Sequence, residues 1–581
     1  MSLPDGLRIL VLDADMVPAL TIARSLLQRK CRVAVASHAE SPLAGYSRGV
    51  QAVYRYPDPL ADTAGFLAWL AEHCSSRHYD LVIPVTERSL SPLSSSRERF
   101  ANVKIAMPSA ESLELVLDKS QTMSLADSLG VPVPSGITVS SMADLAAVQD
   151  TLHYPVVLKP ARSIALREGG ASHLQVSYAF DPAGLIAGCK HALGFGPVLL
   201  QEYFTGDGVG VELIARSGEI AFAFQHRRLH EVPLTGGGSS LRVSEPVNAE
   251  LLEAARRLVK ALGWNGVAMA EFKLNRTSHE YCLMEINGRF WGSLPLAAAA
   301  GADFPSMLLE LELTGSVPTV EGYRNGVYCR LLSRDLMWYE AVLRGGEDAR
   351  IAHVPSRWDV VKGLGLFLHP RHRFDVQSLR DPRPGLVDLG RIVGRYAQRL
   401  GGIIRHEWFL FRQRRAWRRG EVTSALARAN SILFLCYGNI NRSALADALV
   451  GGYAADSGVS VCSAGFHPEE GRPADRVMRE VAAEAGLDMR SQRSSMLTPE
   501  LLAGSDIIFV MEKRHYDRLV VQSPTLAGRI FLLGAHPSEH RQPAEIEDPF
   551  GLPREAYEYC YSRIAEAIDH VKAVVAVRSA E

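Results

Sequence analysis

Several features are missing from this sequence, and each absence narrows the reading. No apolar run approaches the ~18 residues that a membrane-spanning helix needs. The short run Ile9-Leu10-Val11-Leu12 near the start has no basic region before it and is too brief for a signal-peptide core. There is no C-x-x-C pair. The eight cysteines (Cys31, Cys74, Cys189, Cys282, Cys329, Cys436, Cys462 and Cys560) are scattered, which indicates neither a zinc site nor a disulfide framework. Scattered thiols fit a reducing, cytoplasmic setting. Net charge is almost absent, −1 over 581 residues, so overall charge points to no nucleic-acid partner. Internal repeats and low-complexity tracts are also missing. The first strand is not followed by G-x-G-x-x-G. Asp13-Ala14-Asp15-Met16 stands there, so no dinucleotide site is read.

What is present is ordinary globular composition, 47% hydrophobic and 22% charged. At ~100–200 residues per domain, the length predicts about three to five structural units. Strand, helix, strand and a further strand (Arg8–Leu12, Pro18–Arg29, Arg32–Ala36, Leu81–Val85) predict a parallel, Rossmann-like unit over 1–118. Helix, strand and Gly-rich turn then alternate over 119–315. Pro, Gly and Arg clusters fill 316–428, and a second strand–loop–helix unit occupies 429–581. The expected fold class is α/β throughout.

The C-terminal unit carries the sharpest signal. The apolar strand Ser431-Ile432-Leu433-Phe434-Leu435 runs into Cys436-Tyr437-Gly438-Asn439-Ile440-Asn441-Arg442-Ser443, then into the helical Ala444 to Val450. Between a strand and a helix, successive N–H groups can curl into a nest around a phosphate, and the helix N-terminus adds positive potential. That field favours the thiolate, the attacking form of cysteine. Arg442 can grip two phosphate oxygens with a planar fork that lysine lacks. Gly438 permits a tight turn, and Asn439 tolerates left-handed backbone. Ser443 can hydrogen-bond the thiolate and help it leave. Asp548-Pro549 lies in a later loop, where proline fixes the backbone beside a candidate general acid. A bare Cys-x5-Arg is common by chance, and a buried strand-end cysteine is ordinarily inert packing. The full strand–loop–helix context is what gives the motif weight.

With these residues in view, 431–575 resembles the low-molecular-weight protein-tyrosine phosphatases. Ser463-Ala464-Gly465, Leu497 to Leu502, Ser505 to Met511 and Glu547-Asp548-Pro549-Phe550 also match the family's pattern. The resemblance implies Cys436 as nucleophile, Arg442 as phosphate binder, Ser443 and Asn439 as supporting loop residues, and Asp548 as acid and then base. The implied substrate is a phosphotyrosine protein or a phosphorylated metabolite. Two departures stand out: Asn441 where a second cysteine is frequent, and Ala444 where proline is usual. Arsenate reductases share this fold, but the thioredoxin-linked ones need two relay cysteines. Cys462 and Cys560 do not have that spacing, so this alternative ranks low.

A second constellation spans 119–293. Lys119 opens a helix, and Lys159 ends the strand Pro155 to Lys159. A polar loop from Ala161 to Ser172 contains Glu168-Gly169-Gly170. The strand Val198 to Phe204 follows, and two later strands carry Glu271, then Glu285 and Asn287, with Arg289 just beyond. Mg·ATP needs such parts: lysines for phosphate charge, a Gly-rich flap, and hard oxygen ligands for the metal. Glu285 and Asn287 alternate along a strand and therefore share a face. Taken singly, each residue reads as a solvated strand face. In this order they resemble the ATP-grasp superfamily over about 1–315. The resemblance implies Lys119 and Lys159 on phosphates, and Gln201-Glu202-Tyr203-Phe204 as the adenine hinge, with the contacting residue left open. It further implies Glu271, Glu285 and Asn287 on Mg²⁺, Arg289 at an acyl-phosphate transition state, and carboxylate and amine substrates. His226-Arg227-Arg228 and Gly236-Gly237-Gly238 fall either at acceptor contacts or in a surface turn.

Residues 391–419 are crowded with arginines and hold one acid, Glu407. They read either as a helix lying on an anionic membrane surface or as a helix docking the two halves with its aromatics buried. Because the stretch joins two folded parts, docking is favoured. The whole chain then reads as a fusion of two enzymes. The competing reading is a regulatory module in which one half binds nucleotide or phosphoprotein without turnover.

Overall fold

The computed structural model describes residues 3–161, 164–167, 170–173, 176–345, 350–351, 355–537 and 542–579. Its contacts divide the chain into two compact units, Met1–Val393 and Gly394–Glu581.

The first unit opens with a four-stranded parallel sheet. Its order is Ala52–Arg55, Arg32–Ser37, Arg8–Val11, Leu81–Ile83. The central strand is flanked on both sides, which is why Ile9, Leu10 and Val11 can all be apolar and fully buried. At the turn after it, Asp13 has φ 51° and ties the sheet end together. Its Oδ2 accepts from Thr86 N at 2.8 Å and Ser89 Oγ at 2.6 Å.

Three further sheets follow among the described residues. An antiparallel sheet runs Gly136–Val139, Val198–Glu202, Val156–Pro160, Ser177–Ala179. Beside it, Ile164–Arg167 pairs with Gly170–His173, while Glu168 and Gly169 of the expected flap lie outside the described residues. A seven-stranded sheet runs Tyr281–Asn287, Gly266–Leu274, Asp207–Arg216, Glu219–Val232, Gly238–Glu245, Tyr328–Arg330, His372–Phe374. The Ala249–Ala261 helix lays Leu251, Ala255 and Leu258 on this sheet, i, i+4, i+7, as an amphipathic helix should. Glu271 and Glu285 sit directly opposite each other across two of its strands.

The second unit is a four-stranded parallel sheet in the order Ser460–Gly465, Ser431–Cys436, Ile507–Val510, Ile530–Leu532. Ile432 through Leu435 are fully buried, as a central parallel strand requires. The Arg442–Ser457 helix starts directly beyond that strand's loop. The Pro382–Arg418 helix, expected over 391–419, carries its last turns into this unit. There Trp417 Nε1 donates to Leu532 O at 3.1 Å, and Gln413 Oε1 accepts from Leu532 N at 2.9 Å. Among the described residues, no helix is long and apolar enough to cross a membrane.

Candidate active sites in the two units

In the second unit, parallel strands all end at one edge, so the loops beyond them meet there. Cys436 is the last residue of its strand, 2% exposed. Its Sγ accepts the Asn439 N–H at 3.2 Å and lies 3.0 Å from Ser443 Oγ. Asn439 has φ 51°, the left-handed backbone that asparagine tolerates. Its Nδ2 donates to Ser443 Oγ at 2.8 Å, and its Oδ1 accepts from Ser495 N at 2.8 Å. With the Ser443 oxygen already accepting, its hydroxyl hydrogen is left for the sulfur or for Ala464 O at 3.3 Å. Gly465 is required beside this loop. A Cβ there would come within 2.7 Å of the Tyr437 carbonyl oxygen.

Arg442 has a fully buried side chain, and its two ends are engaged. One end donates to Glu512 and, at 2.9 Å, to Ile546 O. The other donates to Asp548 Oδ2 at 2.5 Å. Burial disfavours the guanidinium charge, but Cys436, Asp548 and Glu512 outweigh it and hold Arg442 above its ordinary range. Glu512 feels the reverse. Burial raises it, and the Arg442 hydrogen bond and charge pull it below the usual carboxylate range. A cavity of about 310 Å³ opens over the thiol. Asn439, Asn441, Arg472 and Asp548 line it, and Tyr437, His467 and Phe550 stand around it. Thus Cys436, Asn439, Arg442, Ser443 and Asp548 are brought together. Asn441 is buried there too, and neither end of its side-chain amide has a hydrogen-bond partner. Burial pushes the Cys560 thiol up to about 12, far from a form that could attack a disulfide.

In the first unit, strand pairing assembles the other set. Glu271 and Glu285 face each other, and Asn287 Nδ2 donates to Glu285 Oε1 at 3.0 Å. Burial and the Glu285 charge raise Glu271 despite its ion pair with Arg228. Burial also opposes the Glu285 charge, but Lys119, the Asn287 amide and Arg289 outweigh it and hold Glu285 low. Lys159 is buried at the end of its strand. Burial drives its ammonium down to about 8, against the pull of Glu285. Lys119, at the start of its helix, adds a second positive charge that also lowers Lys159.

At the expected hinge, Gln201 is buried and its Oε1 has no hydrogen-bond partner. Glu202 is exposed, with its carboxylate 3.4 Å from His153. The Tyr203 ring lies under Lys273 Nζ at 4.6 Å, and Phe204 O accepts from the same ammonium at 3.2 Å. Arg289 pairs with Glu87 of the N-terminal sheet region, Nη2 to Oε1 3.1 Å. His226 is no surface turn: it is fully buried, with Nδ1 2.9 Å from Glu212 Oε1. Gly237 and Gly238, with Arg289, Glu87 and Asp15, line a cavity of about 620 Å³.

Sequence reasoning missed Glu512 and Glu87. Glu512 lies two residues past the strand that ends at Val510, at the same edge of the sheet as Cys436, so the signal was available. Glu87 lies 202 positions from Arg289, and only folding joins them. Among the described residues, no three or more His, Cys, Asp or Glu side chains converge as a metal site. A metal here would therefore rest on Glu271, Glu285 and Asn287 together with oxygens from its ligand.

Residues 431–578 match the family model described as low molecular weight phosphotyrosine protein phosphatase, and 194–332 match that described as ATP-grasp in the biosynthetic pathway with Ter operon. The low molecular weight protein-tyrosine-phosphatase Etp of Escherichia coli (strain K12) is 32% identical over 143 residues, covering 25% of this chain and 93% of the relative. The probable phosphatase AmsI of Erwinia amylovora is 34% identical over 138 residues, covering 24% and 92%. Among solved structures, N5-carboxyaminoimidazole synthetase from Staphylococcus aureus aligns with 17% identity and a TM-score of 0.46, over 58% of this chain and 86% of that one.

Proposed function

The chain belongs to the low molecular weight phosphotyrosine protein phosphatase family through residues 431–578 and carries an ATP-grasp domain ahead of it, and on that premise we propose that it is a bifunctional enzyme of the cytoplasm. The phosphatase half hydrolyses phosphotyrosine or a related phosphomonoester. Cys436 Sγ attacks phosphorus, and the ester oxygen leaves with a proton from Asp548. Water, deprotonated by Asp548, then displaces the thiolate from phosphorus, and Ser443 hydrogen-bonds the departing sulfur. Arg442 exchanges one carboxylate partner for phosphate oxygens, and Asn439 fixes Ser443. The observation that carries this reading is the contact of Cys436 Sγ with Ser443 Oγ at 3.0 Å below a cavity that Asp548 lines. p-Nitrophenyl phosphate hydrolysis by wild type and Cys436→Ser tests it. The variant should be inactive, and equal rates would refute cysteine catalysis.

The first unit is proposed to ligate a carboxylate to an amine with ATP and Mg²⁺. The residues fit that pair. Lys159, buried and lowered to about 8, and Lys119 would receive phosphate oxygens. The orphaned Gln201 oxygen would accept a donor from adenine, with Glu202, Tyr203 and Phe204 around it. Glu285, Asn287 and Glu271, once released from Arg228, would hold the metal, which would neutralise phosphate charge. Arg289 would steady the transferred phosphoryl group, and the acceptors would enter the 620 Å³ cavity beside it. ADP release over a panel of carboxylates and amines is the test. Amine-dependent release that Lys159→Met abolishes is expected, and nucleotide binding without turnover on any pair would favour a purely regulatory half.

A further inference from the structure

The C-terminal unit begins with an exposed helical segment that its own core does not explain. From Gly394 to Arg418 the helix presents two different stripes. One consists of Leu410, Gln413 and Trp417, spaced by 3 and 4 residues, and is buried in the phosphatase core. Trp417 is thus buried, but Trp408 and Phe411, expected to be buried by a docking helix, are exposed. The other stripe is Leu400, Ile403, Ile404, Trp408 and Phe411, also at helical spacing. Each of its side chains is more than half exposed, from 53% to 59%. These five large apolar side chains gather on one face of the helix, with the exposed Glu407 among them between Ile404 and Phe411, rather than being scattered over the surface. At 1.5 Å per residue the stripe is ~17 Å long.

The charge beside it is predominantly positive. Residues 394–419 hold eight arginines against one acid, Glu407. Arg405, Arg412 and Arg415 are exposed, and the Arg412 guanidinium sits 4.9 Å over the Trp408 ring. A second protein or a second copy of this chain would have to bring many carboxylates to match such a border. The chain's own near-neutral balance does not single out such a face. An anionic bilayer surface supplies both requirements: an apolar layer for the stripe and headgroup phosphates for the arginines. The aromatic pair Trp408 and Phe411 lies where interfacial helices carry their anchors.

We propose that the Leu400–Phe411 face of this helix binds the surface of anionic membranes, lying in the plane of the interface and holding the protein there peripherally. The proposal is independent of either catalytic reading. Lying flat, the helix buries the apolar stripe at the acyl boundary, and Arg405, Arg412 and Arg415 reach outward to the headgroups.

Co-sedimentation of the full chain with vesicles tests this. Phosphatidylcholine vesicles containing phosphatidylglycerol should bind it, with at least about ten-fold weaker binding to pure phosphatidylcholine, and the bound fraction should fall as salt rises. The double variant Ile404→Glu/Trp408→Glu should lose at least about ten-fold in binding and keep the wild-type circular dichroism and thermal midpoint. Arg405→Glu/Arg412→Glu should do the same. No binding to anionic vesicles overturns the proposal, as does equal binding by the folded variants. So does a concentration-dependent dimer of the wild type, seen by light scattering without vesicles, that the Ile404→Glu/Trp408→Glu change dissociates.

Discussion

In the free protein both ends of the Arg442 fork are already held, by Glu512 on one side and Asp548 on the other. The two carboxylates hold a fully buried cation in one orientation. Removing one of them separates their roles. Glu512 is pulled below its ordinary range when folded, so it stabilises the native state fully above its unfolded value and loses that effect as pH falls through the folded one. Glu512→Gln should therefore cost about 1.5–3 kcal/mol at neutral pH, because Arg442 loses a charged hydrogen-bond partner. Below pH ~4.5 the gap between variant and wild type should close. Thermal midpoints measured across that range would show it. A gap that stays constant into acid would mean that Glu512 acts by packing alone. At this scale Cys436, Arg442 and Asp548 were legible from residue type and loop context. Glu512 was not singled out, although it lies at the same edge of the sheet.

The helix that joins the two units shows what a sequence boundary leaves out. Composition marks 316–428 as connector and starts the phosphatase domain at 429. In the fold, Leu410 and Trp417 of that helix are 8% and 4% exposed in the phosphatase core, and Val422 and Leu426 of the next helix are buried beside them. Trp417 stacks on Phe509 of the central sheet at 5.9 Å. A fragment 429–581 would lack all four side chains. It should be at least about 3 kcal/mol less stable than 394–581, since loss of one buried tryptophan alone costs that much. Urea unfolding of the two fragments measures the difference. Equal midpoints would place the folding unit at 429. The arginines made the helix conspicuous in the sequence. Which of its aromatics are buried was hidden, because two apolar stripes on one helix give no single amphipathic pattern.

Across the whole molecule, the two proposed ligand chemistries fall in two separate compact units. Each ligand should stabilise only the unit that binds it, by mass action. In calorimetry of the full chain, ADP with Mg²⁺ should raise one unfolding transition and inorganic phosphate another. Lys159→Met should remove the first response and Arg442→Ala the second. A phosphate response that disappears with Lys159→Met would show that the units share one site. The proposed membrane face adds a third surface, made of residues that line neither cavity.

The sequence by itself determined the α/β class, the strand–loop–helix around Cys436 and the alternation that puts Glu285 and Asn287 on one face. All three are local consequences of apolar runs, turn residues and the two-residue period of a strand. The tertiary structure alone decided the rest. It set Glu271 opposite Glu285, brought Arg228 onto Glu271 and Glu87 onto Arg289, and delivered Asp548 to Arg442 across 106 positions. It also left one face of the arginine-rich helix uncovered. Those outcomes depend on strand register and on which sheet edges meet, and no local pattern along the chain encodes either.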